Sequence, residues 1–344
     1  MTFISQFSTI RFMDLLHANG SPVSAWSQAT KPDQDTQAMP SGISIDLLTK
    51  IVKRTGRNAW VNVPHLATDD YVTQFATYLK NNIPSQRTIY VEYSNEVWNT
   101  AFEQGKYATA QATAQGMANY HKFYASRSLQ IFNIFSTVFG SNSRLKFVIA
   151  YQAVSKWVAD QILTYSTTIN GATVSLSSWP NLIVAAAPYY DCNSIGNTIN
   201  TAIVATQTPA QVLQTCTNQF PSLTSILQIG TNVSAAYGNV PMAAYEAGTG
   251  ISEYATIFTG GETPAATTTF IAANRDPGMY DIYKTLLYTY KQNNLATTAP
   301  LMIFSSIGLP SKYGSWGILD YLDQIRETPT HPKFQAVLDF NQGK

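Results

Sequence analysis

The sequence predicts an α/β fold built around a parallel sheet, and three observations carry that prediction. Short apolar or β-branched runs recur along the chain, helix-period segments lie between successive runs, and no linker or internal repeat interrupts the alternation. Strands alternating with helices form βα units, because a parallel partner is reached only through a crossover. The strand candidates are Ser8 to Met13, Ala59 to Pro64, Thr88 to Tyr93, Lys146 to Tyr151, Asn181 to Pro188, Pro241 to Tyr245 and Pro300 to Ser305. Each is short and apolar, as a strand buried on both faces must be. The helical segments are Ile45 to Arg54 with Gly56 after it, Asp69 to Lys80, Glu103 to Phe139 ending at Gly140, and Lys156 to Tyr165. Pro209 to Asn218, Met279 to Gln292 and Pro332 to Phe340 follow, and Phe3 to Phe7 reads as the tail of a helix.

Seven strand candidates in 344 residues leave roughly 50 residues per unit, against roughly 30 in a minimal (β/α)8 barrel of about 250. The surplus is loop. Leu15 to Ser41, Asp191 to Thr208 and Ala247 to Thr268 are polar, follow strand candidates, and would extend over the face where barrel enzymes carry their chemistry. The expected architecture is a (β/α)8 TIM barrel forming one domain over residues 1–344, with a cleft between long loops on its C-terminal face. A closed barrel has eight strands, so either the first βα unit lies upstream of residue 1 or the barrel is divergent.

With 21 basic and 20 acidic residues the net charge is +1, and no basic run offers a footprint for nucleic acid or an anionic membrane. The charged fraction of 12% is about half the usual level of roughly 25%, which favours a neutral partner. Twenty Tyr, six Trp and sixteen Phe supply flat apolar faces with polar edges that suit sugar rings, although core packing accounts for most of them. No stretch of 18 or more apolar residues occurs, and residues 1 to 10 lack the pattern of a signal peptide. Cys192 and Cys216 flank a Thr/Asn/Gln-rich stretch; a disulfide there would stabilise an exported chain by about 3 kcal/mol, and two separate buried thiols are the alternative. The four histidines, His17, His65, His121 and His331, show no zinc-ligand spacing, and neither a metal nor an organic cofactor is expected.

The most informative segment runs from Ile89 through Glu92 and Ser94-Asn95-Glu96 to Trp98 and Asn99, where a β-rich run ends in an acid before a helix. In a parallel barrel the C-terminal strand end faces the active site, so Glu96 would project into the cleft with Asn95 beside it. These residues resemble the clan A retaining glycoside hydrolases, in which Asn-Glu closes the fourth strand. A surface acid capping the next helix is the plain structural alternative. The resemblance implies that Glu96 is the general acid/base and that a second glutamate closes the seventh strand as nucleophile. Glu246, in Met242-Ala-Ala-Tyr-Glu246-Ala-Gly-Thr-Gly250, falls in that place, with small neighbours that let a substrate approach; Glu253 in the following loop is its nearest rival. Retention of configuration requires carboxyl groups about 5 to 5.5 Å apart, one protonated and one ionised.

The resemblance extends to other strand ends. Arg11 is similar to the second-strand arginine that supports the nucleophile, and His65 to a third-strand histidine that contacts substrate. One of Tyr189 and Tyr190 would donate its hydroxyl to Glu246, packing explaining the other, and Trp316 would form the floor of the catalytic subsite. Trp98 and Trp26 are looser candidates for sugar platforms, whereas Asp14, Asn19, Asp69 and Asp70 read as caps or loop hydrogen-bonders. The activity implied is that of a secreted endo-β-glycanase acting on a cellulose- or β-glucan-like polysaccharide, with oligomeric state open. A non-catalytic carbohydrate-binding protein on the same scaffold is the alternative. A barrel lyase or aldolase would want a Schiff-base lysine or metal ligands at strand ends, and Lys146 opens a strand instead of closing one.

Overall fold

The computed structural model of the protein describes residues 3–190, 192, 204–252, 263–295 and 297–344. All seven strand candidates form strands: β1 Thr9–Arg11, β2 Asn58–Val63, β3 Ile89–Tyr93, β4 Leu145–Ala150, β7 Leu182–Ala186, β8 Met242–Ala247 and β9 Leu301–Ile303. They join one sheet in the order β1-β2-β3-β4-β7-β8-β9. Every pairing from β1 to β7, and that of β8 with β9, is parallel. Burial explains the composition of the middle strands. All five residues of β3 and β7 are buried, so neither strand shows the alternation of a one-faced sheet.

The chain divides into two compact units, one of Phe7–Ala186 with Asn232–Ala243 and the other of Ala187–Thr231 and Ala244–Lys344 with the first few residues. The N-terminal unit holds β1 to β4, β7 and the helices α1 Ile45–Thr55, α2 Asp69–Asn82, α3 Glu103–Ala114, α4 Tyr120–Phe139 and α5 Lys156–Leu163. Side-chain caps start four of these five: Ser44, Thr68, Asn119 and Ser155 accept the backbone N–H of Leu47, Tyr71, Lys122 and Val158 in α1, α2, α4 and α5. The C-terminal unit holds β9, most of β8 and most of α6 Pro209–Ala236, with α7 Pro264–Arg275, α8 Met279–Gln292 and α9 Pro332–Asn341. A disulfide joins Cys192 to Cys216 within this unit.

Several elements depart from the sequence expectation, and the helix expected over Pro209 to Asn218 runs on to Ala236. The single helix expected over Glu103 to Phe139 is two helices, because Gly116 takes a left-handed φ of 63° and Asn119 caps a new start. An antiparallel hairpin, β5 Ser166–Ile169 with β6 Ala172–Ser175, follows α5; Asn170 and Gly171 supply its two positive-φ turn residues. Helix α7 begins inside the stretch read as loop, with Pro264 in its first turn. Residues 3–6, expected as the tail of a helix, form a short 3-10 turn.

Candidate active site

Within the N-terminal unit, a polar cluster is built around the end of β3. Glu92 is fully buried, and one of its oxygens, Oε2, accepts from Arg11 Nη2 at 2.9 Å, Trp60 Nε1 at 2.8 Å and Asn62 Nδ2 at 2.8 Å. The Arg11 guanidinium also lies 5.5 Å from the centre of the Trp60 ring. A carboxylate in a fully buried strand is tolerated only when paired and hydrogen-bonded, and these three donors supply that compensation. Arg11 reaches on to Asn95 Oδ1 at 2.8 Å, and Asn95 Nδ2 donates to Asn19 Oδ1 at 3.0 Å. Both ends of the Asn95 amide are therefore held.

The backbone at this strand end is constrained as tightly. Ser94 and Glu96 both have positive φ, 57° and 44°, which costs a residue with a β-carbon about 1–3 kcal/mol unless its surroundings compensate. Compensation is visible on either side of Asn95. Asn62 Nδ2 donates to Ser94 O at 2.6 Å, Gln104 Nε2 donates to Asn95 O at 2.6 Å, and the Asn99 amide N–H donates to Glu96 O at 2.8 Å. Glu96 itself is half-buried, and its Oε2 accepts from Asn99 Nδ2 at 3.2 Å. Its neighbour Trp98 is half-buried, with its carbonyl accepting the Tyr120 hydroxyl at 2.9 Å.

The Glu92 pair carries a stability prediction. Removing one partner leaves a buried charge without its counter-ion, so Arg11→Met or Glu92→Leu alone should destabilise by about 3–5 kcal/mol, whereas the double replacement should cost much less. Denaturant unfolding of the four proteins of this cycle measures it, and additive losses would contradict it. The other sequence candidates in this unit are dispersed. His65 follows β2 with its ring edge-on to Tyr107 at 5.4 Å, and burial holds its pKa below the ordinary histidine value against the opposing charge of Glu103. Trp26 packs on Tyr71 and Tyr78 of α2, Asp69 pairs with Arg127 at 2.6 Å, and Asp70 accepts from Gln74.

Within the C-terminal unit, Glu246 is the one residue of β8 that is not buried. Its Oε2 accepts the Tyr189 hydroxyl at 2.6 Å, and the Tyr189 ring stands 5.0 Å from the Trp316 ring at 62°. Phe304 completes the aromatic group, 6.1 Å from Tyr189 and 5.8 Å from Trp316. Tyr190 faces the other way: it is buried, stacks on Phe220 at 4.6 Å, and its hydroxyl donates to the Cys216 carbonyl. Glycines leave room for the platform. A β-carbon on Gly250 would lie 2.5 Å from the Trp316 ring and one on Gly314 would lie 2.5 Å from the indole nitrogen. That nitrogen donates to Tyr313 O at 2.7 Å. The rival acid, Glu253, lies outside the described residues.

No family model matches the sequence, and no curated protein matches it either. Among solved structures it is similar to the family 51 α-L-arabinofuranosidase AbfB from Bifidobacterium longum, at 9% identity and TM-score 0.55, over 99% of this chain and 66% of that one. The fold class is the (β/α) barrel. The chain thus spans just under two thirds of the arabinofuranosidase's length. Two further structures give a TM-score of 0.48: ZgEngAGH5_4 in complex with a cellotriose, at 12% identity over 98% of this chain and 86% of that one, and the exo-β-1,4-mannosidase Op5Man5 from Opitutaceae bacterium strain TAV5, at 10% over 99% and 54%. Among the described residues no group of His, Cys, Asp and Glu could hold a metal ion, and no helix is long and apolar enough to cross a membrane.

Sequence reasoning passed over Lys333, in the first turn of α9. It is fully buried, and Nζ donates to Thr249 O at 2.9 Å and Ser315 O at 2.5 Å, tying the segment after Glu246 to the segment before Trp316. Burial pushes its pKa down to about 7, with Asp320 opposing. The unfolded chain keeps this proton up to about 10.5, so between about 7 and 10.5 the folded protein binds fewer protons and gains stability as pH rises. Thermal unfolding across that window should show the rise in the parent protein and lose it in Lys333→Met. Equal profiles for the two would contradict this.

Proposed function

We propose that this chain is a secreted retaining glycoside hydrolase that cleaves a β-linked polysaccharide of the cellulose or β-glucan type from within, residues 1–344 acting as one catalytic domain. The observation that carries the reading is the Asn95-Glu96 turn: an acid at the C-terminal end of a wholly buried parallel strand, in a left-handed conformation, beside an asparagine clamped by Arg11. Such strain persists where its surroundings over-determine it, and it is concentrated at working sites.

In the first step a carboxylate oxygen of Glu246 attacks the anomeric carbon as the glycosidic C–O bond breaks. Glu96 gives its proton to the departing oxygen, so the leaving sugar exits as an alcohol. In the second step water attacks the same carbon, Glu96 takes a proton from it, and the ester bond to Glu246 breaks, restoring both groups. The Tyr189 hydroxyl, 2.6 Å from Oε2, stabilises the charged form of Glu246 and orients it. Trp316 offers an indole face to the sugar, His65 and Trp98 contact neighbouring hydroxyls and rings, and Asn95 hydrogen-bonds the substrate beside Glu96. Arg11 acts through Asn95 as a positioning residue.

A reducing-sugar screen over cellulose, mixed-linkage glucan, laminarin, xylan and mannan tests the reading, with an aryl arabinofuranoside added because the arabinofuranosidase shares the fold. Release from at least one β-linked polymer is expected. Release from none, with the protein folded, would sink it.

A further inference from the structure

The N-terminal unit carries a large aromatic side chain that neither its core nor the proposed chemistry uses. Trp157, in the first turn of α5, is 60% exposed, and Val154 three residues before it is 47% exposed. Both follow the C-terminal end of β4, and Glu96 follows the C-terminal end of β3, its parallel neighbour, so they share one end of the sheet. A line of contacts connects them. Trp98 O accepts from the Tyr120 hydroxyl at 2.9 Å, the Tyr120 ring lies 4.0 Å from His121, and His121 stands perpendicular to the Trp157 indole at 5.5 Å.

Two buried polar groups along this line have no hydrogen-bond partner among the described residues: Trp98 Nε1 and both ring nitrogens of His121. His121 is only 2% exposed, and burial pushes its pKa down to about 4, so it is a neutral imidazole with one donor and one acceptor unmet at neutral pH. An apolar residue of that shape would pack without leaving polar atoms unsatisfied, so stability does not explain the histidine. Of the nearby cations, Lys156 is paired to Asp160 at 2.7 Å, and Lys122, whose charge lowers the His121 pKa further, donates to Thr164 Oγ1 at 2.9 Å.

We propose that Trp157, flanked by Val154 and backed by His121, forms an outer saccharide subsite that takes a pyranose ring of the β-linked chain whose scissile bond lies at Glu96. The inference rests on the polysaccharide reading above and adds a binding position to it. The indole stacks on the apolar face of the sugar, and the His121 ring packed edge-on against it backs the platform. Chain length therefore governs affinity, because a short oligosaccharide held at Glu96 does not reach Trp157.

The test is calorimetric titration with β-1,4-linked gluco-, xylo- and manno-oligosaccharides of two and six units, in a Glu246→Ala background that prevents turnover. In that background the six-unit chain should bind about tenfold more tightly than the two-unit chain, and adding Trp157→Ala should remove this gain. A gain that survives Trp157→Ala overturns the subsite and leaves the polysaccharide reading standing. Failure of every oligosaccharide to bind overturns the subsite for a β-1,4-linked chain, whereas the polysaccharide reading falls only if the polymer screen shows no release. Because Trp157 is mostly exposed, thermal unfolding of the alanine variant should match its parent, which separates lost binding from lost fold.

Discussion

Glu246→Ala is expected to reduce hydrolysis of the β-linked polymer to background, a loss on the order of 10⁵-fold, because no other group takes over the bond to the anomeric carbon. Glu246 is half-exposed at the end of β8, so removing its carboxyl opens no core cavity, and the melting temperature should stay near that of the parent. Tyr189→Phe supplies the graded control. It deletes one hydrogen bond to a charged acceptor, worth about 1.5–3 kcal/mol, and should slow turnover by roughly 10- to 150-fold. Reducing-sugar release measures both. Retained turnover in Glu246→Ala would reject it as nucleophile, and polymer binding with no turnover in the parent protein would favour the non-catalytic alternative.

The second large effect separates proton transfer from nucleophilic attack. Glu96→Ala should lose about 10²- to 10⁴-fold on polymer, whose leaving sugar must be protonated, and far less on an activated aryl glycoside, whose leaving group departs as an anion. The water that attacks the glycosyl-enzyme then lacks its base. Added azide needs no deprotonation, so it should restore turnover on the aryl substrate and yield a glycosyl azide of retained configuration. Full polymer activity in this variant would point to another acid.

The fold was legible because hydrophobic runs long enough to be strands were bounded by turn residues, and all seven appear in the sheet. Met279–Gln292 was legible to the residue for a related reason, with a clear apolar face of Ile282, Tyr283, Leu286, Leu287 and Tyr290. What escaped was decided locally. Gly116 and Asn119 break a helical period that otherwise continues, and the Asn170-Gly171 turn organises strands with no buried residue to betray them. At the site, the sequence could nominate Arg11 and Asn95 but not say that they bond to each other. The signal for Glu92 was present and unread: a carboxylate inside Ile89–Tyr93, with Asn62 in an equally apolar strand beside it, calls for a buried counter-ion. Lys333 left no such trace, because the carbonyls it joins come together only in three dimensions.

Gly250 and Gly314 have no functional group, yet each meets Trp316 where a methyl would stand. A β-carbon at either glycine would overlap the indole, so the ring would have to shift to make room. Tyr189 is the next body it strikes, and the hydroxyl of Tyr189 steers Glu246. If Glu246 is the nucleophile proposed above, two chemically silent positions bear on how it is aimed.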